Sequence, residues 1–145
     1  MDINNKYETV HTHNLVRLEH TALLLVMVWL AYMNYQSINW YLFTALFLSI
    51  DIIGFYPGII YYKFISKNVP KLFYAIYNIS HSYLTWIVFS LFWLYFYGPD
   101  YVLLAPWIHL MADRGLFGNT LKAYHIAFNI EKNKHFESFE KIIYK

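Results

Sequence analysis

His109 and Asp113 stand one helical turn apart in the stretch Trp107-Ile-His-Leu-Met-Ala-Asp-Arg-Gly-Leu-Phe-Gly118, and Arg114 follows at once. An imidazole and a carboxylate at i and i+4 share one helix face. Such a pair suits proton transfer near neutral pH, or ligation of a divalent metal. The stretch is otherwise apolar, and ionisable groups inside an apolar span are costly enough to be functional candidates. Comparable groups recur at Glu19, at Asp51 just before Gly54-Phe-Tyr-Pro-Gly58, and at Asn78 with His81. Together His81, His109, Asp113, Asp51 and Glu19 have the His/carboxylate make-up that takes zinc, iron or manganese. Read instead as an acid-base site, Asp113 would orient His109, with Asp51 or Glu19 as the acid or base.

The elements that must position these groups are membrane spans. The chain of 145 residues is 59% hydrophobic and 14% charged, too little charge to cover a soluble domain of this size. The net charge of +2 and the lack of any recognition motif argue against nucleic acid as a partner. Cysteine is absent, which excludes disulfides and thiolate metal sites. The first residues lack the basic start and short apolar core of a signal peptide, so the first apolar run is expected to stay in place.

Residues 1–13 read as a polar cytoplasmic arm. In it, His11 and His13 are expected to be an exposed pair. Four transmembrane helices are predicted over residues 14–122, at about 14–35, 39–65, 70–97 and 100–122. Pro57 predicts a kink or break next to Asp51. Pro70 suits the first turn of the third helix, whose residues Tyr74, Asn78, His81, Ser82 and Thr85 make one polar stripe. Pro106 predicts a kink in the fourth helix, and Gly115 and Gly118 allow close approach of a neighbour. Residues 123–145 read as a polar tail ending in an amphipathic stretch, Phe136, Phe139, Ile142 and Ile143.

Lysine and arginine cluster in the arm, in the loop between helices two and three, and after helix four. The positive-inside rule then places both termini in the cytoplasm. The fold class is thus an all-α, polytopic four-transmembrane-helix bundle. A rise of about 1.5 Å per residue converts this topology into depth. His81 and Asp113 both lie roughly 13 Å in from the cytoplasmic side, with His109 one turn deeper. Asp51 falls at a similar level and Glu19 is shallower. The expectation is a single cluster of Glu19, Asp51, Asn78, His81, His109 and Asp113 in the cytoplasmic half of the bilayer. Tyr56, Arg114 and Lys122 would stand at its rim, where they could hold a polar headgroup. Arg17 would snorkel to the headgroups.

The pieces Arg17-Leu-Glu19, Asp51-Ile-Ile-Gly-Phe-Tyr56, Tyr77-Asn-Ile-Ser-His81 and His109-Leu-Met-Ala-Asp-Arg-Gly-Leu-Phe-Gly118, with Leu121-Lys122, give the chain a resemblance. It resembles the small bacterial membrane proteins grouped as domain-of-unknown-function family 4260. The resemblance runs from helix one to Lys122, and His-x-x-x-Asp-Arg-x-x-Gly is its most specific part. His20 departs from the small residue expected there, and the tail matches poorly. The resemblance implies a four-helix protein of the bacterial inner (cytoplasmic) membrane with a shared polar core, and no particular activity.

A structural ion network is the bland alternative for the cluster. Interhelical polar contacts are worth about 0.6 kcal/mol each, whereas an Asp or Arg near mid-helix costs roughly 2.5–3.5 kcal/mol. Packing alone does not balance several such groups. The functional expectation is a membrane-embedded enzyme using acid-base or metal-assisted chemistry on a lipid or isoprenoid-like substrate, with a homodimer sheltering the site. Alternatives are a proton, ion or electron carrier, including a haem held between His81 and His109, and a non-catalytic assembly subunit. Trp29, Trp86 and Trp93 are expected to seal the outer half, which disfavours a through-pathway.

Overall fold

A computed structural model describes residues 8–124, 126–129 and 134–143, and every regular element among them is helical. Helix α1 (Val10–Met33) begins four residues before the expected Asn14, because Thr9 caps it by accepting from the Thr12 amide. A short turn leads to α2 (Trp40–Gly54), capped by Asn39, and α3 (Tyr56–Phe64). Pro57 interrupts this pair only mildly. The bonds from Phe55 N to Asp51 O and from Ile59 N to Phe55 O carry the helix across the junction. Residues Trp40–Phe64 therefore form one long rod. It and α1 are long and apolar enough to cross a membrane.

The expected third helix is broken. α4 (Lys71–Ser80) and α5 (Tyr83–Tyr97) meet at His81 and Ser82 with a bend of 51°, and the pair is a third candidate span only if both halves belong to one crossing. The break has a local cause: the Ser82 hydroxyl accepts from the Leu84 amide and starts a new helix. The polar stripe is split accordingly, with Ser82 and Thr85 serving the joint itself.

The region expected to be the fourth helix is the most buried part of the structure. A 3-10 turn (Tyr101–Leu103), α6 (Leu104–Ala112) and a π-turn (Asp113–Phe117) run on without interruption. Val102, Ala105, Pro106, His109, Leu110 and Met111 are buried there, while α1, α2 and α5 turn large apolar side chains outward. That is the distribution expected of a bundle that meets lipid on its outside. Trp86 is buried, but Trp29 is on the outer surface rather than sealing the interior. The helix stops at Phe117 rather than Lys122. Gly118 adopts φ 69°, and the Asn119 amide closes back on the Asp113 carbonyl.

Close packing of the central helix on α1 depends on Gly115. A methyl group there would sit 2.7 Å from Thr21 Oγ1 and 2.8 Å from the Thr21 amide nitrogen. The obstacle is backbone, which cannot rotate away. Gly115→Ala is therefore expected to lower stability by about 1–3 kcal/mol, the usual cost of overpacking. Unfolding in mixed micelles checks this, and an unchanged midpoint would contradict it.

The chain after Gly118 folds back on the bundle. Asn78 clamps it through reciprocal bonds with Lys122, donating to its carbonyl (2.9 Å) and accepting from its amide (2.7 Å). Tyr74 donates to the Ile126 carbonyl. Phe128 is wholly buried between α3 and α4, its ring lying against Gly58. Residues 119–124 and 126–129 are thus part of the packed protein rather than of a polar tail. The tail's amphipathic stretch does form a helix, α7 (Lys134–Ile143), with an exposed surface.

Candidate metal centre

Four side chains from three helices and one joint converge. Asp51 comes from α2, His81 from the α4–α5 break, His109 from α6 and Asp113 from the start of the π-turn. His81 Nε2 lies 3.4 Å from Asp51 Oδ1 and 3.5 Å from Asp113 Oδ2. His109 Nε2 lies 3.5 Å from the same Asp113 oxygen and 3.8 Å from Asp51 Oδ2. These separations exceed the roughly 2.7–2.9 Å of a charge-assisted hydrogen bond. Three of the four fall instead in the range of neighbouring metal ligands. Ligands about 2.0–2.2 Å from a tetrahedral metal are spaced about 3.3–3.6 Å apart, since the tetrahedron edge is about 1.63 times the bond. Ligating atoms of Asp51, His81 and His109 all lie within 4.8 Å of one another.

His81 is oriented as a ligand would be. His81 Nδ1 is 3.0 Å from the Tyr77 carbonyl, an acceptor only, so Nδ1 carries the hydrogen and Nε2 presents its lone pair. This backbone tether on the distal nitrogen is the usual partner of a metal-bound histidine. The Ser80 hydroxyl, 2.9 Å from the same nitrogen, and the Tyr77 ring, stacked 3.9 Å away, fix the imidazole further. A methyl group at Gly54 would collide with the Ser80 hydroxyl, so glycine there lets α2 bring Asp51 close. His109 is 5% exposed, and neither ring nitrogen has a hydrogen-bond partner. A buried polar group without a partner costs roughly 1–3 kcal/mol. A cation between the four groups would remove that cost at Nε2 and balance the two carboxylates. Asp113 is 16% exposed, but Asp51 is 39% exposed, so the centre is closed on the α6 side and open on the α2 side.

The helix break beside His81 has its backbone satisfied throughout. Thr85 Oγ1 donates to the Ile79 carbonyl (2.6 Å), Trp86 Nε1 to the Ser80 carbonyl (2.7 Å) and Arg114 Nη2 to the His81 carbonyl (3.2 Å). Broken helices persist at membrane depth only under such conditions. The π-turn below is held similarly. Arg17 Nε and Nη2 donate to the Gly115 and Leu116 carbonyls at 3.1 and 2.7 Å, so Arg17 caps the central helix instead of reaching for headgroups. π-turns inside α-helices are frequent at functional sites.

The remaining expected site residues lie elsewhere. Glu19 is exposed on α1 and is not in the group, because the face of α1 that meets the central helix at this level carries Arg17 and Thr21, and Glu19, two residues from each, stands on the opposite side. Tyr56 is also exposed. Asn78 holds the Lys122 backbone and does not face the centre. The Lys122 ammonium donates to the Phe128 carbonyl (2.8 Å) and lies over the Tyr77 ring; burial lowers its pKa and Asp113 opposes that. Arg114 joins the two regions, bonded to His81 and lying 3.6 Å over the Tyr83 ring. An Asp113-oriented His109 is not supported, because Asp113 faces the same nitrogen that faces Asp51 and stands too far off to hydrogen-bond. A haem between the histidines does not fit either. Asp113 Oδ2 is equidistant from both Nε2 atoms, so it lies in the plane the porphyrin would occupy.

Sequence reasoning passed over Arg17 as a cap, and Ser80, Tyr77 and Gly54 as supports of His81. The available signal was Ser80-His81-Ser82, a cap-forming pair around a histidine in an apolar run. No protein-family model, curated protein or solved structure matches this chain.

Proposed function

We propose that this protein is a membrane-embedded, metal-dependent enzyme acting on a lipid or isoprenoid-like substrate. The observation that carries the reading is the spacing of 3.4–3.8 Å between two imidazole Nε2 atoms and two carboxylates, with His109 otherwise unpartnered. Nitrogen and oxygen donors in this ratio suit zinc, iron or manganese. When bound, such an ion supplies Lewis acidity and an activated water. The chain's own residues hold it, exclude water on the α6 side and leave the Asp51 side for substrate. Exposed Leu48, Ile52 and Ile53 surround Asp51 on α2, which favours a lipid-borne substrate. In this reading the chain crosses the membrane four times. The helix from Tyr101 to Phe117 is the fourth and innermost pass, and both termini are cytoplasmic in a bacterial inner membrane. Membership of family 4260 belongs to the same proposal and rests on the residues quoted for it.

Metal-loaded protein, purified without a His-tag and incubated with a bacterial lipid extract, is expected to convert at least one lipid species. Chelator-treated protein is expected to convert none. Mass spectrometry of the extract reads the result, and an extract left unchanged by metal-loaded protein contradicts the enzymatic reading.

A further inference from the structure

A cleft of about 720 Å³ lies away from the metal centre, between the start of α1, the segment after Gly118 and α7. That size is typical of small-molecule sites. Arg17, Arg114, His13 and His20 line it, together with apolar Val10, Val16, Leu121 and Phe136. Both guanidiniums are held in place. Arg17 is anchored on the Gly115 and Leu116 carbonyls, and Arg114 on the His81 carbonyl and the Tyr83 ring. A guanidinium carries five N–H donors, so each keeps further donors beyond these bonds. His20 is fixed too, with Nδ1 2.7 Å from the Val16 carbonyl and its ring stacked on Tyr83. Of the two carboxylates at the cleft, Glu8 is hydrogen-bonded to His13 at 3.1 Å, and Glu140 stands on the α7 wall. Two fixed guanidiniums therefore share the cleft with two carboxylates, one of them already engaged by His13, beside an apolar wall.

We propose that this cleft binds a phosphorylated single-chain amphiphile, with the phosphate on Arg17 and Arg114 and the chain along Val10, Val16, Leu121 and Phe136. Planar, pre-positioned guanidiniums recognise phosphate by forked hydrogen bonds. The cleft touches the metal centre through one residue. Arg114 lines the cleft, bonds His81 and follows Asp113 directly. As an anchor for the headgroup of the enzyme's own substrate, the cleft rests on the metal-enzyme reading. As a binding site, it does not.

The test is calorimetric titration of full-length protein in an uncharged detergent with dodecyl phosphate, dodecyl alcohol and inorganic phosphate. Each is titrated with metal-loaded and with chelator-treated protein. Dodecyl phosphate is expected to bind at least about tenfold more tightly than either other probe, a difference one well-placed ionic contact can supply. It is expected to do so after chelation as well, so loss of the metal reading would leave this result standing. Arg114→Gln and Arg17→Gln are each expected to weaken it at least about tenfold. The proposal is overturned if dodecyl alcohol binds as tightly, if inorganic phosphate binds as tightly, if chelation abolishes binding, or if both variants bind like the wild type. The probe comparison in the unaltered protein decides the matter even if a variant fails to fold.

Discussion

His109→Ala and Asp113→Asn proteins are expected to bind a divalent cation at least about a hundredfold more weakly than the wild type, since even losing a partner behind a ligand costs about 10–100-fold. The same variants are expected to lose the metal-dependent rise in thermal midpoint, because a ligand that binds only the folded state stabilises it by mass action. The physical basis is the set of four acceptors. His81 Nε2 presents a lone pair, and two carboxylates face it at 3.4 and 3.5 Å. Lone pair facing carboxylate is repulsive unless a proton or a metal lies between, and ligand atoms of Asp51, His81 and His109 lie within 4.8 Å of one another, close enough to share one ion. Glu19→Gln serves as the contrast. Glu19 is exposed on α1, so its substitution is expected to leave metal affinity unchanged. Titration with a zinc-sensitive dye after chelation reads all three. Unaltered affinity in both His109→Ala and Asp113→Asn would contradict the assignment of ligands.

Phe128→Ala is expected to cost about 3–5 kcal/mol, the range for emptying a buried aromatic site. The ring is 0% exposed, stacks on Phe55 at 6.3 Å and meets the edges of Tyr74 and Tyr77 at 5.2 and 6.1 Å. It occupies the slot that Gly58 leaves by having no side chain. Without it, the returning segment loses its one wholly buried anchor and keeps polar and surface contacts such as the Asn78–Lys122 clamp, the Tyr74 bond and the Tyr74–Tyr124 stack. Proteolysis within residues 119–129 is expected to accelerate, while the four metal-facing side chains, which lie on other elements, keep their places. Limited proteolysis and metal content measured on one preparation separate the two effects. Unchanged resistance to protease would contradict the anchoring role.

How much of this was legible in the sequence follows from what each feature depends on. The long apolar rods of α1 and Trp40–Phe64 depend on local composition, which hydropathy reads directly. The meeting of Asp51, His81, His109 and Asp113 was approachable because a fixed rise per residue turns chain position into depth, and three separate runs pointed to one level. Glu19 could not be judged the same way. Depth says nothing about direction, and the first half of α1 carries polar residues on every side, from His11 to Thr21. The break at His81 was hidden inside a run whose composition reads as one helix; a single hydroxyl at Ser82, and carbonyls caught by Thr85, Trp86 and Arg114, decide it. Arg17 looked like an interfacial cation because its partners, the carbonyls of Gly115 and Leu116, lie at the far end of the chain. Phe128 was illegible for the same reason: it gains its burial from the missing side chain at Gly58, seventy residues earlier in the chain.

The central claim is that two histidines and two aspartates hold one metal ion. X-ray absorption spectroscopy on protein purified without a His-tag addresses it most directly. The structure predicts about one metal per chain, with two imidazole nitrogens and carboxylate oxygens at roughly 2.0–2.2 Å. Protein carrying less than about a tenth of an equivalent, or a metal shell without imidazole, would contradict it.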